Sequence, residues 1–530
     1  VLHSAMGKAS NPIQSKYGAV SPSETEGMII AEGVTKVDNV NSPPTYQDVP
    51  FSIAFYIHLV IMGIYLGYQI SAEKDYLQVD TDEDVQLDKE FWTNVQLYSI
   101  RILGHLVFPL SGVLSFVLVL FSCSTLLPNF PKAMVIASLL TSLVWCAVIS
   151  IFLLVTTPMP VPLVAATVTL AIAFCYLRIV WKYIPFAAAH LAVAMKGISM
   201  NWGLFFLSLI ASALSLAWTI IWVYGTFGFF YSMNENKATD DTDESDASAE
   251  QAMDTVIMFL LTVSFYWTQL VIMNTLQVTV AGVVGTWLFH PSEASSCCSP
   301  AVGSSLYRSL TYSFGSICFG SLLNAIISAL RALAQNARQE NNRENGNPIG
   351  GLLLCIVECI LNLLEDIIEY FNKWAYIYVG LYGNSYLESG RKVIELFQAR
   401  GWITFITNSV ASQVLGIIAF VVSIIAGFAG VLVESASRTS DESYYFGTMD
   451  GPQYWAFGIC FFFAMIVTSV MMNVGNAAIN TVIVCYAEDP AIMEKNHPRL
   501  VRLLSLAWSS VYPESGVVAT AQEPQYEGVV

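Results

Sequence analysis

The chain has 530 residues, of which 55% are hydrophobic and only 12% charged, and its mean hydropathy is +0.57. A water-soluble fold could not hide that much apolar surface, so the composition is that of a polytopic membrane protein. No Walker A loop, dinucleotide fingerprint, nucleophile elbow or zinc-type pairing of cysteine with histidine occurs, which argues against an ATP-driven pump or an enzyme; no cofactor, metal or nucleic-acid partner is expected.

Residues 1–49 are polar and read as a cytoplasmic tail, 50–485 as the membrane domain, and 486–530 as a second cytoplasmic tail; no removable signal-peptide pattern opens the chain. Ten apolar stretches are expected to cross the bilayer, at about 51–70, 95–121, 132–155, 163–181, 202–230, 253–289, 304–330, 349–383, 403–432 and 453–485. The expected fold is therefore an all-α polytopic membrane protein of about ten transmembrane helices with both termini cytoplasmic. In the first span, Gly63 and Gly67 either admit a neighbouring helix or are a chance pair. Arg101, at the start of the second, suits an interfacial snorkelling role better than a gate. Pro158, Pro160 and Pro162 turn the chain between the third and fourth spans. Pro185 to Gly197 is amphipathic and is expected either to lie on the inner surface or to continue the fourth helix past a kink.

Trp218 and Trp222 are one turn apart and share a face of the fifth span. Cys297 and Cys298 are candidates for lipidation. Ser313 to Ser321 is dense in small residues, which permits tight packing or a broken helix. Glu358, Glu365 and Glu369 form one helical stripe, read as a solvated face, with a cation-attracting vestibule as the alternative. Asn476 and Asn480 share a face of the tenth span and are candidates for a cavity wall.

Charge sets the expected topology. Three acidic loops, 71–93, 232–252 and 433–452, hold nineteen Asp/Glu against four Lys/Arg and fall outside. Arg178, Lys182, Lys196, Arg391, Lys392, Arg400, Lys495, Arg499 and Arg502 fall inside. The one discord is 331–348, which is basic yet placed outside.

The stretch Met253–His290 is the leading candidate for a substrate path. After Asp254 it carries no charged side chain, yet it is dotted with Thr262, Ser264, Thr268, Gln269, Asn274, Gln277 and Thr286. Lipid offers these groups no partner, so they face other helices or a wet cavity; adhesion between helices is the plainer of the two readings. Tyr266 and Trp267 lie among them and could present a π-face to a cation.

Several ordered blocks resemble the choline transporter-like family, most closely its Pns1-type branch. They are Asp48-Val-Pro-Phe51, Val280-Ala-Gly-Val-Val-Gly-Thr-Trp287, Ser313 to Ser321, Ala375 to Lys392 and Cys485-Tyr-Ala-Glu-Asp-Pro490, with Cys355 and Cys359 ahead of the fourth block. The departures are a short 71–93 loop and Tyr386-Leu387 where the family commonly has Phe-Cys. The resemblance implies a ten-helix carrier of choline or a related quaternary amine, by facilitated or proton-exchange-coupled alternating access, in the plasma membrane or an organelle. A trimethylammonium group cannot donate a hydrogen bond, so its site needs aromatic faces with a carboxylate or amide nearby. The substrate-site expectation is Tyr266, Trp267, Gln269, Asn274, Trp218, Trp222, Tyr382, Asn476 and Asn480, with membrane lipids as the other partner. A non-transporting scaffold or accessory subunit, and a lipid- or ion-conducting protein, are the alternatives.

Overall fold

A computed structural model describes residues 45–76, 107–156, 161–238, 244–295, 299–343, 348–400, 404–437 and 452–511. Arg101, the Cys297–Cys298 pair, most of 71–93 and most of 433–452 lie outside these residues. Among the described residues every regular element is helical, the solution that pairs all backbone groups internally where no water is available. The helices are α1 (Val49–Tyr76), α2 (Val107–Phe121, prolonged by a π-turn), α3 (Pro131–Thr156), α4 (Val161–Val180) and α5 (Ile184–Met200). They continue with α6 (Gly203–Ala238), α7 (Glu244–Phe289), α8 (Pro300–Leu310), α9 (Phe314–Arg343) and α10 (Pro348–Tyr382). Last come α11 (Tyr386–Arg400), α12 (Thr404–Ser437), α13 (Pro452–Glu488), α14 (Pro490–Asn496) and α15 (Pro498–Val511). Among the described residues nine helical runs are long and apolar enough to cross a membrane: α1, α2, α3, α4 running on into α5, α6, α7, α9, α12 and α13.

Helix α10 occupies the place of the eighth expected span. It has 35 residues and carries Glu358, Glu365, Asp366, Glu369 and Lys373. Its two faces explain how it is accommodated. Leu352, Leu353, Ile356, Ile360, Leu363 and Ile367 are exposed on one side. The other side packs antiparallel on α9, with Gly351 beside Asn341 at one end of the pair and Gly320 beside Asn372 and Tyr376 at the other. Glu365 pairs with Arg331 and accepts a 2.7 Å hydrogen bond from Ser328, while Glu358 pairs with Arg338 at 2.6 Å. These two carboxylates therefore form neither a solvated face nor an open vestibule; of the stripe only Glu369 is exposed. The same pairs account for the discord at 331–348. That stretch is helical as far as Arg343, and Arg331 and Arg338 spend their charge on α10.

Three other expectations are changed or decided. The 304–330 span is two helices, because the amides of Thr311 and Ser313 both turn back to the Arg308 carbonyl, at 3.4 and 3.0 Å. α8 runs antiparallel to α7, with Ser309 3.1 Å from Thr279 and Ser305 against Gly282. Of the two places expected for Pro185 to Gly197 the structure shows the second: α5 continues α4 through a 3₁₀ turn at Trp181–Tyr183 and is almost wholly buried from Ile184 to Ile198. Its alanines 187, 188, 189, 192 and 194 let helices approach from every side. The acidic stretch 232–252 is largely helical, since α6 reaches Ala238 and α7 begins at Glu244; alanine, glutamate and glutamine favour that state.

α7, α10 and α13 finish together at one end of the bundle, called basal below. Gly285 meets Leu381 there, and Tyr378 meets Glu488. The C-terminal helices seal this end: Asn496 donates to the carbonyls of Leu288 and Phe289, at 3.2 and 2.6 Å, and the His497 ring lies 2.9 Å from the Trp287 carbonyl. These are last-turn carbonyls of α7, which the helix itself leaves without partners. Asp489 caps α14 by accepting from the amides of Ala491 and Ile492, both at 3.0 Å.

Candidate functional site

The nine expected site residues fall in four places. Trp218, Trp222 and Gln269 lie in the seam of α1, α6 and α7. The Gln269 amide donates to the Ser215 carbonyl at 2.9 Å and to Thr219 at 2.7 Å, and accepts from the Ser215 hydroxyl. The Trp222 indole donates to the Leu261 carbonyl at 3.1 Å, and both tryptophans pack around Met62, Leu66 and Leu261. Every polar atom of Gln269 is committed to holding α6 on α7.

Tyr266 and Trp267 lie where α1, α7 and α9 meet. Trp267 is buried, donates to the Cys318 carbonyl at 3.1 Å, and packs with its ring centroid 5.2 Å from Phe55 and 4.9 Å from His58. His58 in turn is 2.7 Å from Ser264. In this conformation the indole is in contact with neighbouring rings.

Asn274 belongs to a polar knot between α7, α9 and α10. It donates to Ser321 at 2.9 Å and to Tyr376 at 3.3 Å, and Tyr376 donates to the Ile317 carbonyl at 3.2 Å. Asn372 completes the knot by donating to the Gly320 carbonyl and accepting from Tyr386. A Cβ at Gly320 would collide with Tyr376 and Tyr386, so the small-residue block of α9 is what admits these rings.

Tyr382 lies at the basal end, in the grouping with the chemistry a cation needs. Tyr370, Trp374, Tyr378 and Tyr382 follow one another at single-turn spacing along α10. The rings of Tyr378 and Tyr382 are 5.1 Å apart, and those of Tyr370 and Trp374 6.2 Å. The Tyr378 hydroxyl donates to the Glu488 carboxylate at 2.5 Å. Glu488, half-buried in the last turn of α13, has no lysine or arginine within ion-pair distance among the described residues. Asn480 and Asn476 lie two and three turns up α13 from Glu488, roughly 12 and 18 Å along the axis. Among the described residues their side-chain carbonyls are buried and accept no hydrogen bond. The site therefore places two tyrosine rings beside a carboxylate that has no cationic partner among the described residues.

Sequence reasoning left Glu488 and Tyr378 out of the expected site. Glu488 stood in plain view within Cys485 to Pro490, but at a span boundary an acidic residue looks like an ordinary solvated end. The four-residue spacing from Tyr370 to Tyr382 was the available signal.

Residues 164–491 match the family described as plasma-membrane choline transporter. The chain is 25% identical over 483 residues to Protein PNS1 of Mycosarcoma maydis, covering 89% of this chain and 85% of that one. It is 26% identical over 494 residues to a CTL-like protein of Dictyostelium discoideum, covering 92% and 80%. A PNS1 protein of Cryptococcus neoformans is 31% identical over 275 residues, 51% of this chain and 48% of that one.

Proposed function

The chain belongs to the choline transporter-like family, and from that premise we propose that it carries choline or a related quaternary amine across the plasma membrane, binding it between Tyr378, Tyr382 and Glu488. The observation that carries this reading is the Tyr378–Glu488 contact with the Tyr382 ring alongside. A quaternary ammonium gains nothing from hydrogen-bond acceptors beyond their charge. It gains about 0.5–2 kcal/mol from each desolvated aromatic face it touches. A carboxylate with no lysine or arginine partner among the described residues is available to the cargo, and two such faces bind loosely enough for release.

The basal end is cytoplasmic in this reading. Lys495, Arg499 and Arg502 lie on α14 and α15, which seal that end, and Arg391 and Lys392 lie on α11, which starts just after Tyr382, the distribution the positive-inside bias favours. Transport needs no ATP: the cation gradient drives it, or a proton moving the opposite way.

Uptake of labelled choline into proteoliposomes tests the proposal. Saturable uptake is expected, and it should fall about tenfold in Glu488→Gln, the loss of one charge-assisted contact. Dependence on an imposed pH gradient would identify proton exchange. Correctly folded protein that takes up no choline or other quaternary amine would favour the scaffold alternative.

A further inference from the structure

Asp48 stands alone among the described residues as a non-glycine with positive φ, at +50°. Asp tolerates that region better than most residues, yet a residue is held there only when its surroundings impose it. The surroundings are specific. One carboxylate oxygen accepts the Ser316 hydroxyl at 2.6 Å and the Tyr386 amide at 2.9 Å. Ser316 is in the first turn of α9 and Tyr386 is the first residue of α11, so one negative charge sits against the positive ends of two helices. The preceding backbone is docked as well: the Gln47 amide donates to the Tyr312 carbonyl at 2.9 Å, and the Tyr46 and Tyr312 rings are 4.8 Å apart. A Cβ on Gly315 would collide with the carbonyls of Gln47 and Asp48, so that glycine is what lets the segment approach.

What Asp48 holds is α11. This helix hangs from Gly383, whose φ of +67° and open surroundings make it a free corner. Its outer face carries the i,i+4 pairs Glu388–Lys392 and Arg391–Glu395. Its inner face lays Phe397 on Trp374, edge to face at 4.8 Å, and buries Val393 in the core that contains Trp374, Tyr378 and Cys485. α11 thus covers the aromatic column at Trp374, one turn above Tyr378. From the N-terminal amide of that cover, the chain of contacts runs to one carboxylate in a different part of the sequence.

We propose that Asp48 is a positioning residue that latches α11 against the aromatic column at Trp374, one turn from the Tyr378–Tyr382–Glu488 site, and that releasing the latch opens this site from that flank. The inference rests on the carrier reading for its purpose, but not for its test. Cys485 is buried one turn above Glu488 on α13 and should become reachable only when the cover lifts. Cys460, on the same helix, and Cys123, on the extension of α2, are equally buried away from α11 and serve as internal references.

The experiment is alkylation of the reconstituted full chain with N-ethylmaleimide, read cysteine by cysteine by peptide mass spectrometry, in wild type, Asp48→Asn and Ser316→Ala. Asp48→Asn should raise Cys485 labelling about tenfold, and Ser316→Ala by less, with Cys460 and Cys123 unchanged, as expected for local opening. A static cap would leave Cys485 as protected as the references in both variants, and that result overturns the latch. If Asp48→Asn loosens the whole fold and all three cysteines react, the milder Ser316→Ala decides: selective labelling of Cys485 supports the latch, and no selectivity overturns it. Labelling needs no substrate, so a failure of choline uptake and a failure of the latch are separate outcomes.

Discussion

The two halves of α10 treat carboxylates in opposite ways. In the half that packs on α9, Glu358 and Glu365 each meet an arginine across the helix pair. At the basal end Glu488 meets Tyr378 and no cation among the described residues. A carboxylate answered by a guanidinium is neutralised, and its work is to hold two helices together. A carboxylate answered by a phenol has no counter-ion there and can attract a cation from solution. The difference teaches that an acidic residue near a membrane span takes its role from the partner opposite, not from its own helix.

The comparison can be broken by exchanging the partners. Glu365→Gln leaves Arg331 without its carboxylate and should cost on the order of 2 kcal/mol in thermal or denaturant stability. That is less than a fully buried pair would lose, because the Arg331 side chain is 35% exposed. Restoring the pair in reverse, with Arg331→Glu and Glu365→Arg together, should recover most of the loss; no recovery would mean the contact is incidental. Glu488→Gln should do the converse, lowering choline uptake about tenfold while leaving the melting temperature nearly unchanged. A large stability loss without a change in transport would move Glu488 to the structural class. Tyr382 sharpens the basal side. Tyr382→Ala should weaken apparent affinity by roughly fivefold, about 1 kcal/mol of cation–π attraction, and Tyr382→Phe should retain most of it because the ring face survives. Equal effects of the two would point to the hydroxyl instead. The smallest effect is expected at Glu358, whose partner Arg338 is 41% exposed. Glu358→Gln should lower thermal stability less than Glu365→Gln does, and less still at high salt.

Much of this architecture was legible in the chain. Long apolar runs can do little but form helices in a bilayer, so the all-α class and most helix positions followed from hydropathy. The small-residue block at 313–321 signalled a break or close packing, and both occur: the break falls just ahead of it at Thr311–Ser313, and Gly315 and Gly320 admit Asp48 and the Tyr376–Tyr386 rings. The site was harder to read. The sequence presented Gln269, Asn274 and Trp267 as polar or aromatic residues in an apolar span. Whether such a residue lines a path or joins two helices depends on what stands opposite, and Ser215, Ser321 and Cys318 come from 47 to 54 residues away in the chain.

Composition and hydropathy by themselves determined that this is a helical membrane protein, and its ordered motif blocks carried the family resemblance, because those properties are local to one stretch of chain. Only the tertiary structure decided which carboxylates are spent and which are free, that Asp48 reaches across more than 300 residues to cap α11, and that α5 is core rather than surface. Each of those facts is a pairing between distant segments. The energy of a polar group in an apolar medium is set by its nearest partner, which no single stretch of sequence contains.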